Sequence, residues 1–95
     1  MSGIICHHNN RYNFYSEVSD SFRYESSLSR GQVESYIKAE HGQDGLNRLP
    51  DRLKRAHDHG CSATDNSLEE LLICNRSGKD EEELSFDNCI KIFLS

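Results

Sequence analysis

Apolar residues recur at two different spacings along this chain, and the change from one to the other falls near residue 28. Ahead of it, Ile4 to His8 and Arg11 to Val18 flank the dipeptide Asn9-Asn10. Asparagine tolerates the positive φ of a two-residue hairpin turn, so this stretch predicts an antiparallel hairpin. Tyr12, Phe14 and Val18 share one parity and belong on one face of a strand. Ser19-Asp20 interrupts, and Ser21 to Ser26 predicts a third strand with Phe22 and Tyr24 facing together. A meander of two or three strands leaves one face needing cover.

Beyond residue 28 the spacing becomes helical. Ser29-x-x-Gln32 is a capping box, and Leu28 and Val33 stand at the flanking positions where two apolar side chains staple the chain's entry into its first turn. Val33, Tyr36 and Ile37 form the stripe, and Gly42 is placed to end that helix. Pro50 positions the second helix. With Asn47 as cap, the ring falls in the first turn, where donors are unpaired anyway; a start at Asp44 would leave it in the interior at about 3 kcal/mol. Asn47 is therefore the expected start, and Gly60 the expected stop. Leu46, Leu49, Leu53 and Ala56 remain in phase, so the turn before Asn47 packs on the same side.

Asn66-x-x-Glu69 predicts a third helix with Leu68, Leu71 and Leu72 inward and Gly78 closing it. Ser85 predicts a fourth, with Leu84 and Cys89 at its staple positions and Phe86, Ile90 and Phe93 on its buried face. Strands first and helices afterwards predict an α+β fold: a small N-terminal antiparallel sheet packed by three or four short helices. With 95 residues, one domain is expected, divided into a strand meander over 1–28 and a helical part over 29–95.

Charge changes the picture because it is unevenly distributed. Residues 1–47 are net −2, residues 48–64 net +2 and residues 65–87 net −6, within an overall −5. Such a chain is not a general binder of phosphate backbone. The run Asp80-Glu81-Glu82-Glu83 is its densest charge and suits a partner with a basic surface. On the second helix Arg48, Arg52, Arg55 and His59 fall in an arc of roughly 60°, a row that suits phosphates or an acidic protein. It equally suits a solvated flank, or an internal partner for the acidic run.

Four cysteines, Cys6, Cys61, Cys74 and Cys89, form no C-x-x-C pair. Cys74 and Cys89 sit in apolar helical patterns and read as core thiols, and a cytosolic setting disfavours disulfides. Cys6, His7 and His8 in one place and His57, His59 and Cys61 in another hold the residue types zinc prefers, with Cys6, His8, His59 and Cys61 as a conceivable set of four. The spacing is not that of a zinc finger. His57 and His59 lie about 200° apart and converge only if the helix end unwinds. No metal or cofactor is expected. Residues 77–88 echo a calcium loop through Leu84-Ser85-Phe86, but Glu82 stands where glycine is needed and Asn88 where a bidentate glutamate belongs.

No glycine-rich elbow or phosphate loop is present, and Ser62, Asp65 and His57 form no nucleophile arrangement. A non-enzymatic protein-binding module is therefore expected: a stoichiometric inhibitor, immunity or anti-defence protein of phage or mobile-element kind that blocks a larger enzyme. A nucleic-acid-binding regulator using Arg48, Arg52 and Arg55 is the alternative, and a small zinc-binding structural protein a further one. No apolar run approaches the roughly 18 residues of a membrane span, and Ile4-Ile5-Cys6 is far shorter than a signal-peptide core of about 7, so a cytoplasmic protein without membrane partner is expected, in its maker or in a host.

Overall fold

A computed structural model describes residues 3–16, 19–62, 67–73, 75–76 and 82–95. Strand β1 (Ile4–His8) turns through Asn9 and Asn10, at φ 46° and 63°, into β2 (Arg11–Ser16). Two consecutive left-handed residues are what a tight hairpin with right-handed twist demands. The register pairs Ile5 with Phe14 and His7 with Tyr12. A short β3 (Ser21–Phe22) lies on the far side of β2, giving the antiparallel order β1-β2-β3. With the helices that follow, the fold is α+β, as the pattern predicts.

The third strand is shorter than Ser21–Ser26. Arg23 N still donates to the Phe14 carbonyl (2.8 Å); beyond it the chain arches away from β2 and its backbone rejoins at Leu28, which exchanges two hydrogen bonds with Tyr12 (2.7 and 2.9 Å). Across the arch the Asn13 side chain does the work of a ladder: its Nδ2 donates to the carbonyls of Tyr24 (3.0 Å) and Ser26 (3.4 Å). The arch also breaks the parity. Phe22 packs beneath the sheet and stacks on Tyr15 and Phe93, whereas Tyr24 crosses to the other side and stacks on Tyr36, so the two aromatics do not face together.

Nor does the sheet have only one face to cover. Tyr12, Asn13, Phe14 and Tyr15 are consecutive and all buried, because β2 is covered above and below. Ile5, Tyr12 and Phe14 pack with Val33, Ile37, Leu49, Leu53 and Ala56 of α1 (Arg30–His59). On the opposite face Cys6, Tyr15 and Phe22 meet Leu68 and Leu71 of α2 (Leu68–Leu71), Leu72 beyond it, and Cys89 and Leu94 of the α3 (Phe86–Phe93) end of the chain.

Both halves of the Ser29 capping box are made: the Ser29 hydroxyl accepts from Gln32 N, and Gln32 Oε1 accepts from Ser29 N at 2.8 Å. Leu28 and Val33 are buried in one cluster, as a staple requires. Gly42 breaks the helical path, with φ 64° and ψ −150°, a conformation essentially confined to glycine. The helix resumes at once. Asn47 is therefore interior and not a cap, and Pro50 lies inside the helix. The competing term is burial: Leu49 and Leu53 are almost fully buried on the sheet, each contributing about 1.5–3 kcal/mol, while Pro50 is exposed and forfeits one hydrogen bond. Gly60 (φ 86°) closes the helix by donating to the Ala56 carbonyl at 2.8 Å.

Helix α2 starts one residue later than Asn66-x-x-Glu69 implies, because Ser67-x-x-Glu70 offers the same chemistry: Ser67 Oγ accepts from Glu70 N and donates to Glu70 Oε1. Asn66 and Gly78 lie outside the described residues. The helix stops at Leu71, since Asn75 takes the Leu72 carbonyl with both its backbone N (3.3 Å) and its Nδ2 (2.8 Å). Ser85 caps α3 as expected, its hydroxyl accepting from Asn88 N. Cys89 and Leu94 are fully buried, Ile90 and Phe93 half-buried, and Phe86, expected inward, is 39% exposed in the first turn.

Candidate functional site

The acidic segment enters α3 from a fixed point. Asn75, almost fully buried, donates from Nδ2 to the Leu84 carbonyl at 2.8 Å and accepts from Leu84 N at 3.2 Å. That clamp anchors the chain immediately after Glu82 and Glu83, both of which are at the surface. Asp80 and Glu81 lie outside the described residues. Asp87 adds a further exposed carboxylate in the first turn of α3, where the helix's partial positive charge favours it, beside the exposed Phe86 ring. Exposed acidic residues thus stand on both sides of Phe86 in sequence.

The basic row of α1 is differently employed. Arg52 donates from Nη2 to the Gly3 carbonyl at 2.7 Å, and Arg55 from Nε to the Ser62 carbonyl at 3.1 Å. These bonds hold the chain entering β1 and the chain leaving α1 against the helix flank. Partial burial, reinforced by the neighbouring Arg55 charge, lowers the Arg52 pKa, with Glu40 opposing. Only Arg48 of the three stands as an exposed cation. Arg52 and Arg55 thus brace the neighbouring chain, each donating to a backbone carbonyl.

The zinc candidates do not assemble. Cys6 and Cys61 face each other with no exposed surface, against the α3 side of the sheet, while His59 is exposed at the end of α1. His8 is half-buried at the hairpin end of β1. The helix remains regular through His59, so His57 and His59 diverge. Among the described residues no three His, Cys, Asp or Glu side chains come together in a geometry that could hold a metal ion.

The two His/Cys groups do meet through other atoms, in a cluster that adds Tyr12 and joins the hairpin to the end of α1. The His7 and His57 rings lie 3.8 Å apart between centroids, and the Tyr12 hydroxyl is 2.8 Å from His57 Nε2. Asn10 N donates to His7 Nε2 at 3.2 Å, which places the proton of neutral His7 on Nδ1. Burial, then the His57 and His8 charges, lower the pKa of His7; burial raises that of the Tyr12 phenol, opposed by Arg30. The Tyr12 phenol and the His57 ring thus form a hydrogen-bonding pair at the end of α1. His7 and His57 are 50 positions apart, and no local pattern announces their meeting. The one available hint is that His57 borders the Leu49-Leu53-Ala56 stripe.

Among the described residues no helix is long and apolar enough to cross a membrane. No family model matches the chain, and no curated protein or solved structure matches it.

Proposed function

We propose that the protein acts by binding another protein, as a stoichiometric inhibitor or immunity-type module in the cytoplasm of its maker or of a host, and that its target presents a basic surface with an apolar recess. The observation that supports this reading is the exposure of Glu82, Glu83 and Asp87, on either side of exposed Phe86 in sequence and following the Asn75 clamp. Long-range attraction from the carboxylates accelerates encounter, and the aromatic ring supplies contact area once docked. The nucleic-acid alternative draws on Arg48, Arg52 and Arg55, and two of these already donate to backbone carbonyls.

The test is affinity capture from the native host with the intact protein as bait, followed by association kinetics with the purified captured protein. Replacing Asp80 by Asn and Glu81, Glu82 and Glu83 by Gln should slow association by about tenfold or more at low salt and flatten its salt dependence. Phe86→Ala should mainly accelerate dissociation. An unchanged association rate in the acidic variant, with binding lost in Arg48→Gln, would assign the partner to an acidic protein or a nucleic acid.

A further inference from the structure

Cys6 and Cys61 are 55 positions apart in sequence and directly opposite each other in space. The three residues after α1 run antiparallel to β1 as a short additional bridge: His7 N donates to the Gly60 carbonyl at 2.9 Å, and Ser62 N to the Ile5 carbonyl at 2.8 Å. Those bonds flank the cysteine pair and place it at a narrow, non-hydrogen-bonded backbone position of the ladder. In an antiparallel ladder, residues at such a position stand about 4.5 Å apart at Cα with side chains on one face. A disulfide accepts Cα separations of about 4.4–6.8 Å. We infer that Cys6 and Cys61 form a site of oxidative modification, closing an intramolecular disulfide by exchange with an oxidised low-molecular-weight thiol such as glutathione disulfide.

The pair is present as thiols, and both residues have no exposed surface. Cys89 joins them in the same core cluster, and burial, followed by the influence of Cys61 and Cys89, holds the Cys6 thiol well above its ordinary range. Thiolate is the attacking species, so the closed fold is slow to react and the 60–62 segment must part from β1 first. That segment is held by the two bridge bonds and by Ile5 N donating to Ser62 Oγ at 2.9 Å. Once it parts, Cys61 Sγ as thiolate attacks one sulfur of the glutathione disulfide and expels a glutathione thiolate. Re-docking on β1 returns the mixed disulfide to Cys6, whose thiolate attacks Cys61 Sγ and expels the second glutathione. Two thiols and one glutathione disulfide become one protein disulfide and two glutathione thiols, the two thiol protons passing to the two departing thiolates. The product staples the exit of α1 to the first strand across most of the chain and needs no other displacement of the backbone. This inference stands apart from the protein-binding reading and uses none of its residues.

The test is incubation of the folded protein in glutathione buffers of increasing oxidised fraction, followed by intact-mass measurement, non-reducing peptide mapping and thermal melting. The expected product has lost two hydrogens, links the Cys6 peptide to the Cys61 peptide, and melts roughly 10–20 °C higher, an increase that dithiothreitol reverses. Cys61→Ser should abolish the product, and Cys89→Ser should retain it. The mapping is read on the unmutated protein, so it holds even where a serine variant folds poorly. A cross-link that joins any other pair, or a Cys6–Cys61 link that forms only in denaturant or lowers the melting temperature, would overturn the inference.

Discussion

Replacing Asn13 by leucine keeps the branching of this fully buried side chain and removes its polar hub. Asn13 is fully buried; its Nδ2 donates to the Tyr24 and Phe93 carbonyls at 3.0 Å each, and its Oδ1 accepts from Phe14 N at 2.8 Å. Two further contacts, to Ser26 O and from Tyr24 N, are 3.4 Å long and contribute little. Three well-made bonds lost on one side only, at about 1–1.5 kcal/mol each, give roughly 3–4 kcal/mol. The added apolar burial of leucine offsets about 1 kcal/mol, leaving a net loss of roughly 2–3 kcal/mol. For a chain of this length that lowers the melting temperature by on the order of 10–20 °C. Urea denaturation followed by circular dichroism reads the same quantity as a shift of midpoint at constant slope. Asn13→Asp should fall further than Asn13→Leu at neutral pH, because a carboxylate would face carbonyl oxygens. A leucine variant within about 0.5 kcal/mol of the parent would show that these bonds are no better than those water makes in the unfolded chain, and would refute the assignment of Asn13 as the joint between sheet, arch and α3.

Ser29→Ala should destabilise by about 1 kcal/mol in denaturant melts, since it removes the acceptor for Gln32 N; an unchanged midpoint would mean that this cap contributes nothing net. Gly60→Ala should destabilise by roughly 2–4 kcal/mol in the same assay, because a Cβ would stand 2.7 Å from Leu68 Cβ on a left-handed residue; a loss under 1 kcal/mol would mean that α2 shifts freely. His7 binds its proton less readily folded than unfolded, so its contribution is constant above the ordinary histidine range and stability falls as pH drops through that range. His57→Gln should move the His7 titration upward when followed by ring-proton NMR, and an unmoved midpoint would exclude electrostatic coupling between the two adjacent rings.

The features legible in the sequence are those whose physics closes within a few residues. Asn9-Asn10, the Ser29 box, the Ser85 cap and the Gly60 stop each depend on backbone groups two to four positions away, and each is made where the residue types place it. The leucine stripe of α1 is likewise a local period, and its inward face holds. Where two local rules conflicted, at Pro50, the sequence offered no way to weigh them. Burial of Leu49 and Leu53 on the N-terminal sheet decided for a helix that resumes directly after Gly42 and runs through Pro50. The acidic run is visible as composition, but its anchoring through Asn75 is not, because a lone asparagine looks the same whether it is solvated or clamps Leu72 to Leu84.

What only the tertiary structure decided are the pairings of residues distant in sequence. Residues 24–26 leave the sheet where Asn13, reaching across the arch, takes the Tyr24 carbonyl, and that departure sends Phe22 and Tyr24 to opposite faces. Arg52 and Arg55 brace Gly3 and Ser62; His57 meets His7 and Tyr12; Cys61 meets Cys6. Each of these contacts follows from the angle at which α1, bent at Gly42, lies across the sheet. That angle is set by side-chain packing summed over both halves of the helix, a quantity that no window along the chain contains.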